Sequence, residues 1–285
     1  TYQKNNKEVS KIVFSENYSQ ELKINKYIEK IPNSEEWSQI WEKSCNPPPL
    51  HYLHKISMIE DCLDEKEYKD IKKMLIGKYS GISLEDYYQK TFTKKVYSSK
   101  KLFETTFLSF LPKLKALFIA IQKLSEHQIC HHDLNHRNIT IKNQKMYLLD
   151  YGVSFLFSDI SKAKKRINRE TTLHRLYLSY PYEYICMLQT DKLKKEKRLF
   201  AEKEYKSNYD IYKFIHESIF QRKDIKQKIL HLYDLSFSES KLKDIIPTLD
   251  TYSLGMLFPV LFIRFADKYH LSRKHVLSLL QSKKI

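Results

Sequence analysis

The chain has 285 residues, 42% of them hydrophobic, so it is long enough for one large domain or two lobes around a shared cleft. With only 4 Gly and 8 Pro, collagen-like and low-complexity architectures are excluded. The formal net charge of +16 fits either a nucleic-acid or anionic-surface partner or a set of solvated Lys side chains. Because the basic residues are spread along the whole chain, we favour solvated side chains over nucleic acid.

Cysteine usage and hydropathy bear on where the protein works. The 4 Cys are scattered and form no C-x-x-C pair, which argues against zinc and against a disulfide framework. A reducing, intracellular and cytoplasmic compartment is therefore expected. No apolar run approaches the roughly 20 residues of a membrane-spanning helix. The longest run, Leu254 to Phe265, is too short, so we predict no transmembrane segment.

The first predicted elements are a strand at 9–14 and a helix at 19–31. Strand alternation places Lys11 on the same face as two Val residues, which is unusual for an ammonium on a plain surface strand. A cleft that holds phosphate would explain this placement. Glu21 lies at the start of the helix, whose apolar residues recur at helical spacing. The alternative is an exposed Lys and a first-turn Glu favoured by the helix dipole.

The next segment contains both Trp residues and three consecutive prolines at 47–49. It predicts a short helix followed by a rigid, extended connection. Residues 51–60 are predicted to form a strand, and residues 73–81 a second strand that leads into a flexible joint. Ser83 then caps a helix, with Asp86 three residues further on.

Residues 111–127 give the clearest helical pattern in the chain. Pro112 suits the first turn, where its missing N–H costs nothing. The apolar residues that recur at helical spacing, and are expected in the core, are Leu111, Leu114, Leu117, Phe118, Ile121 and Leu124.

The stretch 130–152, CHHDLNHRNITIKNQKMYLLDYG, holds two polar clusters separated by β-branched and apolar residues. The apolar residues predict a short hairpin around a turn at 142–144. Such a hairpin would bring Asp133, Asn138 and Asp150 to one end of the structure. One carboxylate could then accept a proton, while the other carboxylate and the amide could hold a divalent metal. The alternative is that both Asp residues only shape the turns.

This stretch resembles the catalytic and metal-binding loops of the eukaryotic-type protein kinase family, His-Arg-Asp-Leu-x-x-x-x-Asn followed by Asp-Phe-Gly. The resemblance implies that Asp133 is the catalytic base, which accepts the proton of the substrate hydroxyl. It also implies that Asn138 and Asp150 bind magnesium. Three residues depart from the family pattern: His132 replaces Arg, Tyr151 replaces Phe, and Asn135 stands where many Ser/Thr kinases carry a Lys that contacts the transferred phosphate.

The resemblance extends to the N-terminal elements. Kinases pair a Lys of the third strand with a Glu of the following helix, and this ion pair places the Lys on the α- and β-phosphates of ATP. Lys11 and Glu21 are the best matches, with Lys7 as the alternative Lys. The end of the strand predicted at 73–81 resembles the hinge between the lobes. Gly77 would then be the residue that gates the back of the nucleotide pocket. The residues whose backbone groups would bind the adenine edge are Lys78, Tyr79 and Ser80.

The family's glycine-rich loop has no counterpart in the sequence, because no Gly precedes Gly77. We expect the chain to be a fragment, with this loop upstream of Thr1. Residues 153–180 correspond to the activation segment. Its basic residues imply an acidic or already phosphorylated protein substrate, or else a solvated loop; they are Lys162, Lys164, Lys165, Arg166, Arg169 and Arg175.

The C-terminal half carries two more matches. Residues 180–183, Tyr-Pro-Tyr-Glu, resemble the Ala-Pro-Glu signature, and Glu183 would then pair with either Arg264 or Arg273. Residues 186–249 are an expected insertion, helical at 209–235. Residues 250–255 resemble the start of the family's central buried helix. Its first residue, Asp250, would hold the backbone of the catalytic loop, cap the helix, or do both.

We therefore predict an α+β protein with a two-lobed, kinase-like fold. The small lobe covers residues 1–80, and the mainly helical large lobe covers residues 81–285. The expected reaction is transfer of the γ-phosphoryl group of ATP, with Mg²⁺, to Ser or Thr hydroxyls of a protein. The insertion, the Asp-Tyr-Gly variant and the Lys-rich composition are similar to kinases of large cytoplasmic DNA viruses, which implies host cytoplasm or the virion.

The sequence leaves three alternative functions open. A small-molecule phosphotransferase of the aminoglycoside-kinase type shares the Asp-x-x-x-x-Asn spacing but lacks the Pro-x-Glu signature and the helix that begins at Asp250. A pseudokinase, which is a binding module with the kinase shape, fits the missing glycine loop and Asn135. A nucleic-acid binder would rest on the net charge alone.

Overall fold

The computed structural model describes residues 2–4, 8–53, 65–167, 178–181, 184, 206–224, 227 and 239–281. It is a mixed structure of helices and small antiparallel sheets, consistent with the α+β prediction. The strands are β1 Tyr2–Lys4, β2 Glu8–Phe14, β3 Trp41–Cys45, β4 Ile71–Lys78, β5 Ile82–Ser83, β6 Ile129–Cys130, β7 Ile139–Lys142, β8 Lys145–Leu148 and β9 Phe155–Leu156. The helices are α1 Ser15–Glu29, α2 Leu50–Leu53, α3 Glu65–Asp70, α4 Leu84–Thr91, α5 Lys94–Tyr97, α6 Lys100–Phe110, α7 Lys115–Glu126, α8 Ile160–Ile167, α9 Lys206–Phe214, α10 Glu239–Ile245, α11 Leu249–Lys268 and α12 Arg273–Gln281.

The N-terminal sheet has the strand order β1-β2-β4-β3, and all its pairs are antiparallel. Lys11 lies opposite Leu75 in the β2–β4 register. The predicted first strand is confirmed, and Val13, Leu75 and Trp41 form a small core under the sheet. Helix α1 begins directly after β2, four residues before the predicted start, because Phe14 is still extended and the helical backbone follows it at once.

The strand predicted at 51–60 is wrong where the structure describes it. Leu50–Leu53 form a short helix instead. The carbonyl of Pro49 accepts hydrogen bonds from the amides of Tyr52 (2.9 Å) and Leu53 (3.4 Å), so the last proline opens a helical turn. Residues 54–60 lie outside the described residues.

The predicted helix at 111–127 is a 3-10 turn at Leu111–Leu114 followed by α7. The buried stripe is narrower than predicted. Leu114, Leu117, Ile121 and Leu124 are buried, whereas Phe118 is 58% exposed. Phe118 lies at the edge of the buried face of the helix, so its ring points toward solvent.

The main core lies among the helices that follow the N-terminal sheet, and much of it is aromatic. The rings of Tyr88 and Phe92 stack 4.3 Å apart, and Phe262 of α11 packs edge-on against both. This core continues beneath the hairpin through the buried residues Ile139 and Leu148. Helix α4 has the predicted cap, since Ser83 Oγ accepts from the amide of Asp86 at 3.0 Å.

The predicted hairpin is confirmed as β7–β8. Its turn residues, Asn143 and Gln144, both have positive φ (50° and 65°), as a tight two-residue turn requires. Strand β5 pairs with β7 to complete a three-stranded sheet, while Leu148 of β8 bridges to Ser38 in the segment after α1. The hairpin therefore contacts both β5 and the segment that follows α1.

The helical prediction for 209–235 is only partly right. Helix α9 continues into a π-helical turn at Ile215–Ile219, but residues 221–224 are not helical. Gln221 and Asp224 have positive φ (52° and 60°), and a left-handed residue ends a helix. Residues 186–205 of the expected insertion lie outside the described residues.

Helix α11 is the central buried helix. The continuous helical run Glu239–Lys268 that contains it is long and apolar enough to cross a membrane, by length and composition only, and 56% of its most apolar window is buried. Core helices of soluble proteins pass the same test, so this run is weak evidence for a membrane span.

Candidate active site

Three charged side chains from separate elements meet in one cluster, which we call the Lys11 cluster. Lys11 Nζ of β2 donates to both carboxylate oxygens of Glu21 on α1, each at 2.8 Å. The same nitrogen donates to Asp150 Oδ1 at 2.8 Å. Glu21 is fully buried and also accepts from the indole Nε1 of Trp41 at 3.0 Å. The predicted Lys11–Glu21 pair is therefore present, and Lys7 lies outside the described residues.

The charges of this cluster depend on one another. Burial raises the pKa of Glu21, because the Lys11 ammonium offsets the loss of water only in part. Burial would also raise the pKa of Asp150, but the charge and hydrogen bond of Lys11 bring it below its ordinary value. Burial would lower the pKa of Lys11, and the charges of Asp150 and Glu21 more than offset that. At neutral pH the Lys11 cluster therefore keeps a cation facing the Asp150 carboxylate.

The second part of the site is the 131–138 loop between β6 and β7. Asn138 Nδ2 donates to the backbone carbonyl of Asp133 (2.8 Å) and to its carboxylate Oδ2 (2.9 Å). Asn135 Nδ2 lies 3.3 Å from the other carboxylate oxygen, Oδ1. Both oxygens of Asp133 therefore face amide donors, which fixes the direction in which this carboxylate points.

Asp250 holds the backbone of this loop through both of its carboxylate oxygens. Its Oδ2 accepts from the amide of His131 at 2.6 Å, and its Oδ1 accepts from the amide of His132 at 3.0 Å. Burial raises the pKa of Asp250, which is only 6% exposed. The predicted role in holding the loop is confirmed. Both oxygens are engaged there, and no side-chain hydrogen bond caps α11.

The two parts of the site meet at the end of the hairpin. The amide of Leu149 donates to the carbonyl of Asn138 at 2.9 Å, and His131 Nε2 lies 2.8 Å from the carbonyl of Leu149. Asp150 therefore follows directly on a residue that is bonded to both ends of the 131–138 loop. His132 and Asp150 have positive φ (65° and 63°), a strained backbone of the kind that clusters at functional sites.

Sequence reasoning missed an aromatic cluster around His132, which we call the His132 cluster. The His132 ring, 1% exposed, stacks on Tyr180 with centroids 5.0 Å apart, and Tyr180 OH donates to the His132 carbonyl at 2.5 Å. His132 Nε2 lies 2.7 Å from Tyr184 OH. The available signal was the coincidence of His132, where the family that the loop resembles has Arg, with two Tyr residues four apart near the end of the predicted activation segment.

The predicted hinge residues lie at the end of β4 and contact strand β7. Lys78, Tyr79 and Ser80 line a recess of about 220 Å³ whose lining residues include neither Lys11 nor Asp150. The Tyr79 carbonyl accepts from Lys142 Nζ at 2.8 Å, and Ser80 Oγ accepts from Thr140 at 2.8 Å. These contacts join the end of β4 to β7, and the binding of adenine by the three residues stays a prediction.

Gly77 is required by close packing. A Cβ at this position would lie 2.5 Å from the carbonyl oxygen of Ile40 and 2.5 Å from Gln39 Nε2. Any side chain here would force β3 and β4 apart. Its predicted gating of a nucleotide pocket stays a prediction.

Several predicted contacts of the activation segment cannot be placed. Glu183, Arg169 and Arg175 lie outside the described residues, as do the side chains of the basic residues at 164–166. Of the two candidate partners for Glu183, Arg273 pairs with Asp267 at 2.8 Å.

The side-chain oxygens of Asn138 and Asp150 are of the kind that binds a magnesium ion. Among the described residues no group of three His, Cys, Asp or Glu side chains could form a metal site. Mg²⁺ does not need one, because it is bound through one or two protein oxygens together with substrate phosphates and water. Asn138 uses its nitrogen on Asp133, which leaves its Oδ1 for a metal, and Asp150 contributes a carboxylate one residue beyond Leu149.

No protein-family profile matches the sequence, and no curated protein matches it significantly.

Proposed function

We propose that this protein is an ATP- and Mg²⁺-dependent kinase that phosphorylates Ser or Thr hydroxyls of protein substrates. The observation that carries the proposal is the position of Lys11, which bridges Glu21 and Asp150 at 2.8 Å. Protein kinases need the same three groups, a strand Lys, a helix Glu and a metal-binding Asp, in place together. Chance pairing is a poor explanation, since Lys11 and Asp150 are 139 residues apart.

The fold supports the proposal as well. A small antiparallel sheet with one helix carries Lys11 and Glu21, and a mainly helical part carries the 131–138 loop and α11. This division supports the proposed two-lobed arrangement, with a lobe boundary near residue 80. Asp250 in the first turn of α11 bonds the loop backbone, as the resemblance implied.

Each residue of the site has a defined task in this proposal. Asp133 accepts the proton of the acceptor hydroxyl, and the amides of Asn138 and Asn135 aim its carboxylate. Lys11 donates to phosphate oxygens and is braced by Glu21. Asn138 and Asp150 would hold Mg²⁺, which would supply neutralisation of the phosphate charges of bound ATP. Catalysis is then mainly positioning and electrostatic stabilisation.

The substrate and location follow from the charge and the resemblance. The basic residues of the predicted activation segment, among them Lys162, Arg169 and Arg175, favour an acidic or already phosphorylated protein substrate. The resemblance to kinases of large DNA viruses places the reaction in the cytoplasm or the virion.

The pseudokinase alternative rests on Asn135. This amide bonds to Asp133 where many kinases place a phosphate-binding Lys, so one cation that would contact the transferred phosphate is missing. A protein that bound Mg·ATP without transferring phosphate would have that function.

Two measurements on the full chain test the proposal. The protein is incubated with Mg²⁺ and γ-labelled ATP in the presence of a panel of acidic and basic proteins and, separately, a panel of amino-sugars. Label on protein Ser or Thr is expected. Label on amino-sugars only would indicate a small-molecule phosphotransferase. A thermal-shift titration with Mg·ATP should raise the melting temperature. A shift without phosphoryl transfer would indicate a pseudokinase. The absence of both a shift and transfer would refute the proposal that the protein acts on nucleotides.

A further inference from the structure

The hydroxyl of Tyr151 is the atom that distinguishes Asp-Tyr-Gly from Asp-Phe-Gly, and it has a specific partner. Tyr151 is fully buried, and its OH lies 2.7 Å from Ser38 Oγ, which is itself buried. Ser38 Oγ also lies 3.4 Å from the carbonyl of Gln39, which can only accept. The consistent assignment is that Tyr151 donates to Ser38 and Ser38 donates to the carbonyl.

Ser38 is itself held in place by main-chain hydrogen bonds on both sides. The amide of Leu148 donates to the carbonyl of Trp37, and the amide of Gln39 donates to the carbonyl of Leu148, both at 2.9 Å. Ser38 is therefore joined to β8 through both of its neighbours in the chain. The Tyr151 ring is fixed from the other side by the ring of His131, with centroids 4.9 Å apart.

Asp150 needs such support, because it is the residue directly before Tyr151 and has a left-handed backbone, with φ of 63°. A non-glycine residue keeps this conformation only where its neighbours hold it. Lys11 holds the side chain of Asp150, but the ammonium would be shared with phosphate oxygens in the proposed reaction. A neutral hydrogen bond on the next residue would keep the loop in place when that happens.

We propose that Ser38 is a positioning residue, which acts through the Tyr151 hydroxyl to hold residues 150–152 in the orientation in which Asp150 faces Lys11. The proposal rests on the proposed function for the task of Asp150, but the positioning itself is a property of the nucleotide-free protein. It also accounts for Tyr in place of Phe, since the extra hydroxyl has a built partner.

The competing explanation is that this hydrogen bond only stabilises the core. The chain offers a matched control for that explanation. Tyr88 and Tyr97 form another buried hydroxyl pair, also at 2.7 Å, within the aromatic core and without contact to the site residues. Tyr97→Phe removes one such bond at a distance from Asp150.

Hydrogen exchange on the nucleotide-free protein tests the positioning directly. The amide of Gly152, which lies 3.3 Å from Asp150 Oδ1, reports on the loop. Ser38→Ala should speed its exchange about three- to tenfold, the factor that corresponds to one ordinary hydrogen bond. Tyr97→Phe should leave it unchanged. Equal acceleration in both variants, or none in Ser38→Ala, would overturn the proposal.

The double variant Ser38→Ala/Tyr151→Phe separates positioning from stability. Ser38→Ala alone leaves a buried hydroxyl without its partner, and removing both partners relieves that penalty, so the melting temperature should recover. The exchange of Gly152 should stay fast because the bond is still absent. Recovery of both together would show that the pair serves only the core.

Steady-state kinetics connect the loop to the reaction. Ser38→Ala should raise the KM for Mg·ATP about three- to tenfold with a smaller change in kcat, and Tyr97→Phe should change neither. An unchanged KM in an active Ser38→Ala protein would count against the positioning role. If the wild-type protein transfers no phosphate, the proposed function fails, while the exchange measurements still decide the role of Ser38.

Discussion

The two parts of the candidate site are built by different means. In the 131–138 loop, Asp133 is aimed by amides two and five residues away, and the backbone is held by Asp250. The Lys11 cluster instead joins a strand, a helix and a loop through ion pairs that span up to 139 residues. In the loop the amides that aim the Asp133 carboxylate are close along the chain, and only the backbone needs the distant Asp250. The cluster instead depends on one ammonium that serves a fully buried carboxylate.

This difference predicts how each part responds to substitution. A change of the reacting group in the loop should alter chemistry with little effect on folding, because the backbone bonds of the loop remain. A change in the Lys11 cluster should alter folding and nucleotide binding together, because an uncompensated buried charge is left behind.

The largest expected effect is that of Asp133→Asn on phosphoryl transfer. The amide cannot accept the hydroxyl proton, so kcat should fall about 10²- to 10⁴-fold. Binding of Mg·ATP, followed by thermal shift, should stay nearly intact. Asp159→Asn, which changes a half-buried carboxylate that accepts from Ser161 Oγ at 2.7 Å, is the control. Loss of nucleotide binding in Asp133→Asn would contradict the role of this residue as a base.

Lys11→Met should cost folding stability as well as nucleotide binding. It leaves the carboxylates of Glu21 and Asp150 facing each other without their cation. Breaking such a buried pair costs several kcal/mol, and since Lys11 is 22% exposed we expect about 2–3 kcal/mol from denaturant unfolding at pH 7. Lys78→Met, in a surface pair with Glu42, should cost less than about 1 kcal/mol. Equal costs would refute the central place of Lys11.

The same variant gives a pH dependence with a definite sign. The folded pKa of Asp150 is lowered, so its pairing stabilises the protein above its unfolded value of 3.8 and is lost as pH falls through the folded pKa. The pKa of Glu21 is raised above 4.5, so Glu21 is neutralised before Asp150 as the solution is acidified. The stability gap between wild type and Lys11→Met should therefore narrow as the pH falls, first through the raised pKa of Glu21 and then through the lowered pKa of Asp150. A constant gap would contradict this charge assignment.

Asp250→Asn tests the support of the loop. The amide replaces one acceptor with a donor that faces the amide of either His131 or His132. A buried donor facing a donor costs about 1–3 kcal/mol, so both unfolding free energy and kcat should fall. Asp267→Asn, on the exposed pair with Arg273, should change neither by much. Wild-type activity in Asp250→Asn would show that the loop does not need this anchor.

The sequence predicted the site residues that are close along the chain more fully than the residues that reach the site from distant segments. Asp133, Asn138 and Asp150 follow from a spacing that a hairpin must bring together. The choice of Lys11 over Lys7 could not be made with certainty, because it depends on the β2–β4 register and on the start of α1 at Ser15. Those depend on tertiary packing.

Other features could not be predicted from the sequence, because they also depend on tertiary contacts. The partner of the Tyr151 hydroxyl is Ser38, 113 residues away on an irregular segment with no periodic pattern. Phe118 was assigned to the core because helical spacing gives the direction of a side chain but not the width of the surface that covers it. The helix at Leu50–Leu53 depends on the Pro49 carbonyl and not on propensity.

The smallest expected effect is that of phosphatase treatment on the wild-type protein. In the His132 cluster, a ring stacked on Tyr180 and bonded to Tyr184 ties the 131–138 loop to the end of the predicted activation segment. That connection needs no phosphate group, whereas an Arg at this position would be a strong cation suited to binding one. We therefore expect unchanged kcat and KM after phosphatase treatment, with dephosphorylation verified by mass spectrometry. Tyr184→Phe, which removes the hydroxyl next to His132 Nε2, should lower activity more than phosphatase does. An enzyme silenced by phosphatase would show that a phosphate, and not the His132 cluster, sets the activation segment.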